Sequence, residues 1–458
     1  MPSLSEHFQK RQPSAIRVAS IRFAQRQDDC QAVNVAIGNV SLPMHDSLRD
    51  RMMGLGEERS PFKDGVVRYT PTMGLEETNA AFLNILSASG CPTSGLHSQI
   101  TDGGSQAMEL VILGVCGPAG SGERPLLLID AAYTNYTAFA QRLGRRTVSV
   151  SRHLDDDGSF QLPPLDEIEE IIVREKPGGL VVIPYDNPTG QLYRRDQLVE
   201  LARLCVQHDM WLISDEAYRE LFYRGDESVS IWKLDDEDVP GLSGRRISIE
   251  SASKVWNACG LRIGALITDN EEFHRRAVAE NTANLCPNHI GQWIFASLAH
   301  QSQRELHEWF EHQRGYYRGM LSAFTGQLKE LLPGVIVSRP DAALYSVVDL
   351  RRIAAAGFDA MDFVLWCASE GAVEIEGRRM TLLTAPMAGF YNVVPGQGNP
   401  GRTQLRIAYV EPPERMKLVP RLLAELFTRY EDHRALRGDS PLRDRGHPHT
   451  TTGPVETA

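Results

Sequence analysis

Short apolar runs recur through the middle of the chain: "PLLLID" (125–130), "GLVVIP" (179–184), "MWLIS" (210–214), "RISIES" (246–251) and "IGALIT" (263–268). Each is rich in residues that favour β structure, and amphipathic segments such as "RRDQLVELARLCVQHD" (194–209) separate some of them. Near-continuous hydrophobic strands alternating with helices predict a mainly parallel sheet covered on both faces, an α/β core. In such sheets ligands bind beyond the carboxyl ends of the strands. The polar stretches fall there: "YDNPTG" follows "LVVIP", "DEAY" follows "WLIS", and "SASK" follows "RISIE". Three separated segments are thus expected to converge on one crevice.

From about residue 320 the pattern changes to helix, then short strands ("GVIVS", "ALYSVVDL"), then helix, and finally "QLRIAYV" with a closing helix near 413–430. This predicts a large domain over 46–320 and a smaller α+β domain over 321–430. The N-terminal segment 1–45, with its amphipathic "SAIRVASIRFAQRQ", is expected to pack with the smaller domain rather than to act as a targeting helix. The stretch 431–458 is rich in Pro, Gly, Thr and charge, and is expected to be a flexible tail. No solenoid-type repeat is visible.

Composition narrows the function. The chain has 458 residues, natural for two packed domains, with 42% hydrophobic and 23% charged residues, an ordinary soluble balance. A formal charge of -11 and no basic stripe argue against a nucleic-acid partner. The apolar runs are far shorter than the ~20 residues that cross a bilayer, and no signal-peptide core follows Met1. A cytoplasmic protein without a membrane partner is expected. Seven cysteines stand without CxxC or paired-His spacing, so neither a metal site nor a disulfide framework is indicated, and most are expected to be buried thiols.

The segment "SASKVWNACGLRIG" (251–264) sets Lys254 among small and apolar neighbours, with Ser251 three places before it and Arg262 eight after. An amine whose charge is disfavoured or balanced acts as a nucleophile and forms a Schiff base with a carbonyl. Ser251 and Arg262 supply a hydroxyl and a fork-shaped cation for a phosphate beside that carbonyl. In "DGGSQAMELVIL" a glycine pair opens an amphipathic helix, so Gly104 and Ser105 either hold an anion or simply start the helix. Asp215, just past a strand and three residues before Tyr218, is either a helix cap or a functional carboxylate. Asn187 in "DNPTG" is either a turn residue or a donor. Together these groups match what pyridoxal phosphate needs: an amine for its aldehyde, a phosphate grip, a carboxylate for its ring nitrogen, and donors for its ring oxygen.

With "YTPTMG", "GGSQA", "AAYTNY", "DNPTG", "SDEAY", "SASKVWNACGLRIG" and "LRIAYV" in this order, the chain resembles the class I/II aminotransferases, fold-type I pyridoxal-phosphate enzymes, from about residue 15 to 430. It looks closest to bacterial aspartate-aminotransferase-like members, whose flavour "SDEAYREL", "CGLRIGALIT" and "APMAGFYNVVPGQG" share. The resemblance implies that Lys254 is the Schiff-base lysine and proton shuttle, that Asp215 pairs with the ring nitrogen, and that Tyr218 and Asn187 contact the ring oxygen. It implies that Tyr133 stacks on the ring, and that Gly104, Ser105, Ser251 and Arg262 grip the phosphate. It implies a homodimer in which Tyr69 reaches into the site of the second subunit. Arg406 and Asn187 are then substrate contacts, Arg406 holding the α-carboxylate, and Gly38 lies in a loop closing over it.

Three stretches depart from the family pattern, the third being Asp130-Ala131-Ala132 before Tyr133. "AIGNVSLP" (36–43) lacks the proline and acid of the usual "GxPD"-like loop, and "DAALYSVV" (341–348) replaces the glycine of the usual "KGAFY"-like stretch; "DAA" also stands where small residues or proline usually precede the stacking aromatic. The changes fall where a substrate side chain would lie and leave the cofactor grip untouched. An aminotransferase exchanging an amino group with a 2-oxo acid is the expected function. The alternative is elimination, replacement or carbon-carbon bond formation on an unusual amino acid or S-adenosylmethionine, since one cofactor serves all of these. A cofactor-sensing regulator is disfavoured because no helix-turn-helix signal accompanies the core.

Overall fold

The loop carrying Lys254 joins the strands Arg246–Ser251 and Gly264–Thr268 with no α-helix between them. Without a crossover the chain turns back, so Gly264–Thr268 runs antiparallel to its predecessor, Gly264 facing Ser251. It also pairs antiparallel with His97–Thr101. The other strands expected from the apolar runs pair parallel, as do their neighbours. In this computed structural model, which describes residues 2–437 apart from 10, 12, 119, 121, 226, 394 and 395, the sheet order is His97–Thr101, Gly264–Thr268, Arg246–Ser251, Trp211–Asp215, Gly179–Val182, Leu126–Asp130, Thr147–Ser151. The sheet is mainly parallel with one reversed strand, an α/β architecture.

Helices cover both faces because their apolar positions repeat at helical spacing. Arg195–Gln207 buries Leu198, Leu201, Ala202 and Cys205 on one side. Gly103–Val115 buries Ala107, Leu110, Val111 and Val115, and packs with Ile249 and Leu266 of the sheet. The interior strands are buried almost throughout, as expected for a sheet covered on both sides, while the edge strand Thr147–Ser151 is mostly half-buried.

The helix Gln303–Leu331 starts at a capping box, in which Ser302 N donates to Glu305 Oε2 at 2.8 Å and Glu305 N donates back to Ser302 Oγ. Its buried stripe, Leu306, Phe310, Tyr317, Leu321, Phe324 and Leu328, runs unbroken past residue 320, so no loop marks that position as a boundary. Beyond it lies a four-stranded antiparallel sheet ordered Ile336–Val337, Tyr345–Asp349, Gln404–Ala408, Ala385–Pro386.

The N-terminal segment joins this region. Gln31–Asn34 pairs parallel with Arg378–Leu383, and the chain continues as Val35, whose N–H donates to Leu383 O while its carbonyl accepts from Ala408 N. Ala36 to Gly38 are thereby carried beside Arg406. At the other end the closing helix Val419–Arg437 extends past the predicted start of the tail at 431. Glu431 and Arg434 form an ion pair at 2.9 Å and Arg434 donates to Ala356 O, which fastens those last turns. The remainder of the expected tail, 438–458, lies outside the described residues.

Candidate active site

Eleven of the twelve residues singled out above line one cavity of about 300 Å³: Gly38, Gly104, Ser105, Tyr133, Asn187, Asp215, Tyr218, Ser251, Lys254, Arg262 and Arg406. They come from the strand ends and the N-terminal loop, as the α/β pattern requires. Tyr69 is the exception. It is 80% exposed and does not line the cavity of its own chain.

At one end the Gly103–Val115 helix presents its N-terminus. Its preceding residue, Asp102, makes no side-chain bond to the helix, so first-turn N–H groups stay open to an anion. Arg262 folds across this turn, its guanidinium donating to Cys259 O and to Asp102 O. Gly103 has a φ of +77°, and a Cβ there would fall 2.4 Å from Arg262 Nη2, so the close approach depends on glycine. Ser251 closes the strand beside it, its hydroxyl accepting from Ser253 N.

Asp215 ends its strand half-buried, facing the cavity. Its Oδ2 accepts from Tyr136 Oη at 2.5 Å and its Oδ1 from Ala217 N at 3.1 Å. It is both a turn residue and a carboxylate facing the cavity, so the two readings of its sequence position are not exclusive. Burial pushes its carboxyl above the ordinary range, while the Tyr136 and Ala217 bonds pull it back. Beneath it, Arg219 lies between Glu250, at 2.7 Å, and Glu216, at 3.4 Å, and Glu216 N donates to Ile249 O. This buried cluster fixes the turn from Asp215 to Tyr218. With two carboxylates on one guanidinium, burial pushes Glu216 upward. Asn187 is held similarly: its neighbour Asp186 accepts from Thr189 and is ion-paired with the buried Arg152 at 2.9 Å.

A phenol chain crosses the cavity. Asn187 Nδ2 donates to Tyr218 Oη at 3.3 Å, and Tyr218 Oη lies 2.9 Å from Tyr345 Oη. Burial raises Tyr218 well above its usual value and Tyr133 to about 12, so both stay neutral donors near neutral pH. Arg406 is buried to 3% exposure, donating from Nη1 to Asn187 Oδ1 at 2.8 Å and from Nη2 to Ala36 O at 2.7 Å. Its guanidinium lies over the rings of Tyr345 and Phe390, at 4.5 and 5.0 Å. Its Nε–H is buried without a protein partner, a donor still to be matched. Lys254 Nζ donates to Gly38 O at 2.5 Å, linking the amine to the N-terminal loop.

Sequence reasoning named no role for Tyr345, Tyr136, Phe390 or Arg17. Tyr345 stands in the departing "DAALYSVV" stretch and Tyr136 three residues after Tyr133, spacing that puts both within reach of the site. Phe390 and Arg17 carried no local signal; the first lies in a loop tied down by Ala132 N donating to Phe390 O.

The donor set suits pyridoxal phosphate. Open helix N–H groups, hydroxyls and Arg262 match a phosphate, a carboxylate matches a ring N–H, neutral phenol and amide groups match a ring oxygen, and one amine faces the same space. These features define a pyridoxal-phosphate-dependent enzyme. The chain belongs to the aminotransferase class I and II family, whose model matches residues 61–387.

Among curated proteins it is 26% identical over 357 residues to the aspartate/prephenate aminotransferase of Thermus thermophilus, covering 77% of this chain and 86% of that one. It is 24% identical over 361 residues to the aspartate aminotransferase of Sulfolobus acidocaldarius, covering 78% and 84%. Among solved structures, a mutant Thermus thermophilus aspartate aminotransferase superposes with a TM-score of 0.75 at 20% identity, covering 93% of this chain and 100% of that one. The N-succinyldiaminopimelate aminotransferase of Mycobacterium tuberculosis does so with the same score at 19% identity and the same coverage. The structural likenesses speak to the fold.

Proposed function

We propose that the chain transfers an amino group between an amino acid and a 2-oxo acid, with Lys254 as the residue that holds the cofactor covalently. The convergence of eleven separately chosen residues on one cavity supports this reading most strongly. Pyridoxal phosphate, when bound, supplies an aldehyde for an amine and a protonated ring that draws electrons from the carbon bearing that amine.

The chain's own groups do the rest. Gly104, Ser105, Ser251 and Arg262 hold the phosphate at the helix N-terminus. Asp215 would keep a proton on the ring nitrogen: desolvation makes its carboxylate costly while alone, and a cationic partner would relieve that cost. Tyr218 and Asn187 donate to the ring oxygen, and Tyr133 covers the ring. Arg406 orients the substrate through its α-carboxylate, using N–H groups not engaged by Asn187 and Ala36. The Lys254 amine, which would hold the cofactor aldehyde, would also be the base that takes the substrate Cα proton and the acid that delivers it to the cofactor carbon. Gly38 and its neighbours limit water access above Arg406.

The working unit is a homodimer in the cytoplasm. An exposed apolar strip, Val66, Val67, Tyr69 and Met73, with Leu285 and Ile290, supports a second copy covering this face and receiving Tyr69. The organisation is a large domain carrying the cofactor and a smaller one, joined by the N-terminal segment, carrying Arg406. Purified holoenzyme given a panel of amino acids with 2-oxoglutarate is expected to release the matching keto acids and glutamate. Release of a side-chain leaving group without amino-group exchange would contradict the reading.

A further inference from the structure

Tyr345 has no part in the proposed function, although it lines the cavity with its ring against Arg406. Its place is set by the two turns that carry Asn187 and Tyr218. Asp341 N and Ala342 N both donate to Gly190 O, at 3.1 and 2.7 Å, in the turn after Asn187. In the turn after Tyr218, Leu221 O accepts from Ala343 N at 2.8 Å and Tyr223 N donates to Asp341 O at 2.8 Å. Tyr223 Oη adds a bond to Ala343 O. The stretch 341–345 is therefore clamped to both donor-bearing turns. The Tyr345 phenol arrives 2.9 Å from that of Tyr218, with the two rings edge-on at 75°.

The hydrogens along this chain of groups can be counted. A guanidinium only donates, so Arg406 Nη1, at 2.8 Å, fixes Oδ1 as the Asn187 atom that faces it and turns Nδ2 toward Tyr218 Oη. That fills one acceptor position on Tyr218. A phenol carries one hydrogen, so between Tyr218 and Tyr345 only one can donate to the other. Among the described residues the Tyr345 hydroxyl bonds one group, Tyr218 Oη, whereas the Tyr218 hydroxyl also borders the cavity. If Tyr218 donated to Tyr345, no Tyr218 hydrogen would remain for a ring oxygen, and the Tyr345 hydrogen would lack an acceptor. The reverse order satisfies both.

We propose that Tyr345 is a positioning residue: its hydroxyl donates to Tyr218 Oη and so turns the single Tyr218 hydrogen toward the ring oxygen of the bound cofactor. This rests on the placing of Tyr218 against that oxygen in the proposed function, and names the residue that makes Tyr218 a donor there. A hydroxyl that accepts a hydrogen bond donates more strongly in turn, and the gain is larger where water is excluded. Both phenols are buried, Tyr345 to 2% exposure and Tyr218 to 4%. The Tyr345 ring over the Arg406 guanidinium is a separate contribution that a phenylalanine would keep.

The test is the visible absorption of holoenzyme titrated against pH. A donor to the ring oxygen stabilises the negative charge that otherwise holds a proton on the neighbouring Lys254 nitrogen, so weaker donation moves the midpoint up. Tyr345→Phe deletes one hydroxyl and leaves in place the other charged and titratable groups facing that nitrogen: Asp215, Arg262, Arg406, Arg17, Tyr133, Tyr136 and Cys259. It is expected to raise the midpoint by about 0.3–1 pH unit. Tyr218→Phe is expected to raise it further, and the double variant no further than Tyr218→Phe alone, because Tyr345 acts through Tyr218. A Tyr345→Phe midpoint within about 0.1 pH unit of native, or shifts that add in the double variant, overturns the proposal. A Tyr218→Phe midpoint equal to native would overturn the placing of Tyr218 and the proposal with it. Failure to exchange amino groups would overturn the aminotransferase reading instead, and the titration would still decide the role of Tyr345.

Discussion

Gly38 is not held at a positive φ, so an alanine there is strained only by what its Cβ would touch. That atom would lie 2.2 Å from Tyr345 Oη, 3.3 Å from Tyr345 Cζ and 3.4 Å from Lys254 Nζ. Ordinary contact begins near 3.4 Å, so Gly38→Ala demands a shift of about 1.2 Å in the Tyr345 hydroxyl or in the loop. Tyr345 cannot give easily. It is 2% exposed, lies against the Arg406 guanidinium and bonds Tyr218 at 2.9 Å. Overpacking of this kind costs about 1–3 kcal/mol, and the broken phenol bond adds about 1 kcal/mol. If the loop moves instead, the Lys254 bond to Gly38 O is lost. We expect Gly38→Ala to lower the urea-melt stability by about 2–4 kcal/mol and kcat/KM by about 10- to 100-fold. The double variant Gly38→Ala with Tyr345→Phe removes the closest atom and leaves contacts of 3.3 and 3.4 Å. It should recover at least half of the stability lost by Gly38→Ala. Equal stability of Gly38→Ala and native protein, or losses that merely add in the double variant, would refute the packing argument.

Other residues give equally specific expectations. Burial raises the Asp215 carboxyl, so its stabilising contribution is complete below the unfolded value near ~3.9 and is lost as pH rises through the folded value. In cofactor-free protein, Asp215→Asn should therefore gain stability relative to native as pH climbs from acid to neutral, by urea melts; a falling difference would contradict the sign. Arg406→Lys forfeits the paired bonds to Asn187 and Ala36, and kcat/KM for amino acids should drop about 100- to 1000-fold; a loss below about threefold would remove Arg406 from carboxylate binding. Cys259 and Cys286 are half-buried while the other five thiols are buried, with Cys116 and Cys205 pushed up to about 12 by burial. A thiol reagent on native protein should modify two cysteines fast, and cofactor should protect Cys259, which lines the cavity. Rapid reaction of the buried five would contradict the packing.

The strands and the crevice were legible in the sequence because buried parallel strands are written as continuous apolar runs and their polar ends stand out by contrast. "LLLID", "WLISD" and "RISIES" became strands ending in Asp130, Asp215 and Ser251. The direction of Gly264–Thr268 was less visible, since periodicity carries no polarity; it followed from the missing helix in the loop before it. At the boundary expected near 320 the chain runs as one long amphipathic helix, Gln303–Leu331, whose stripe is indifferent to which sheet it covers. That these residues share one cavity was legible since most stand at strand ends or in the loops that follow them. The places of Tyr345 and Phe390 were not, because they come from long-range approach: Tyr345 meets Tyr218 across 127 positions in the chain, and Phe390 meets Arg406 through a loop anchored at Ala132.

The central claim is that the Lys254 amine carries the cofactor in this cavity. Borohydride reduction of holoenzyme, followed by digestion and peptide mapping by mass spectrometry, reads it directly. One stoichiometric pyridoxyl group is expected on the peptide containing position 254, absent from Lys254→Ala. A pyridoxyl group on another lysine, or none on native protein saturated with cofactor, would contradict it.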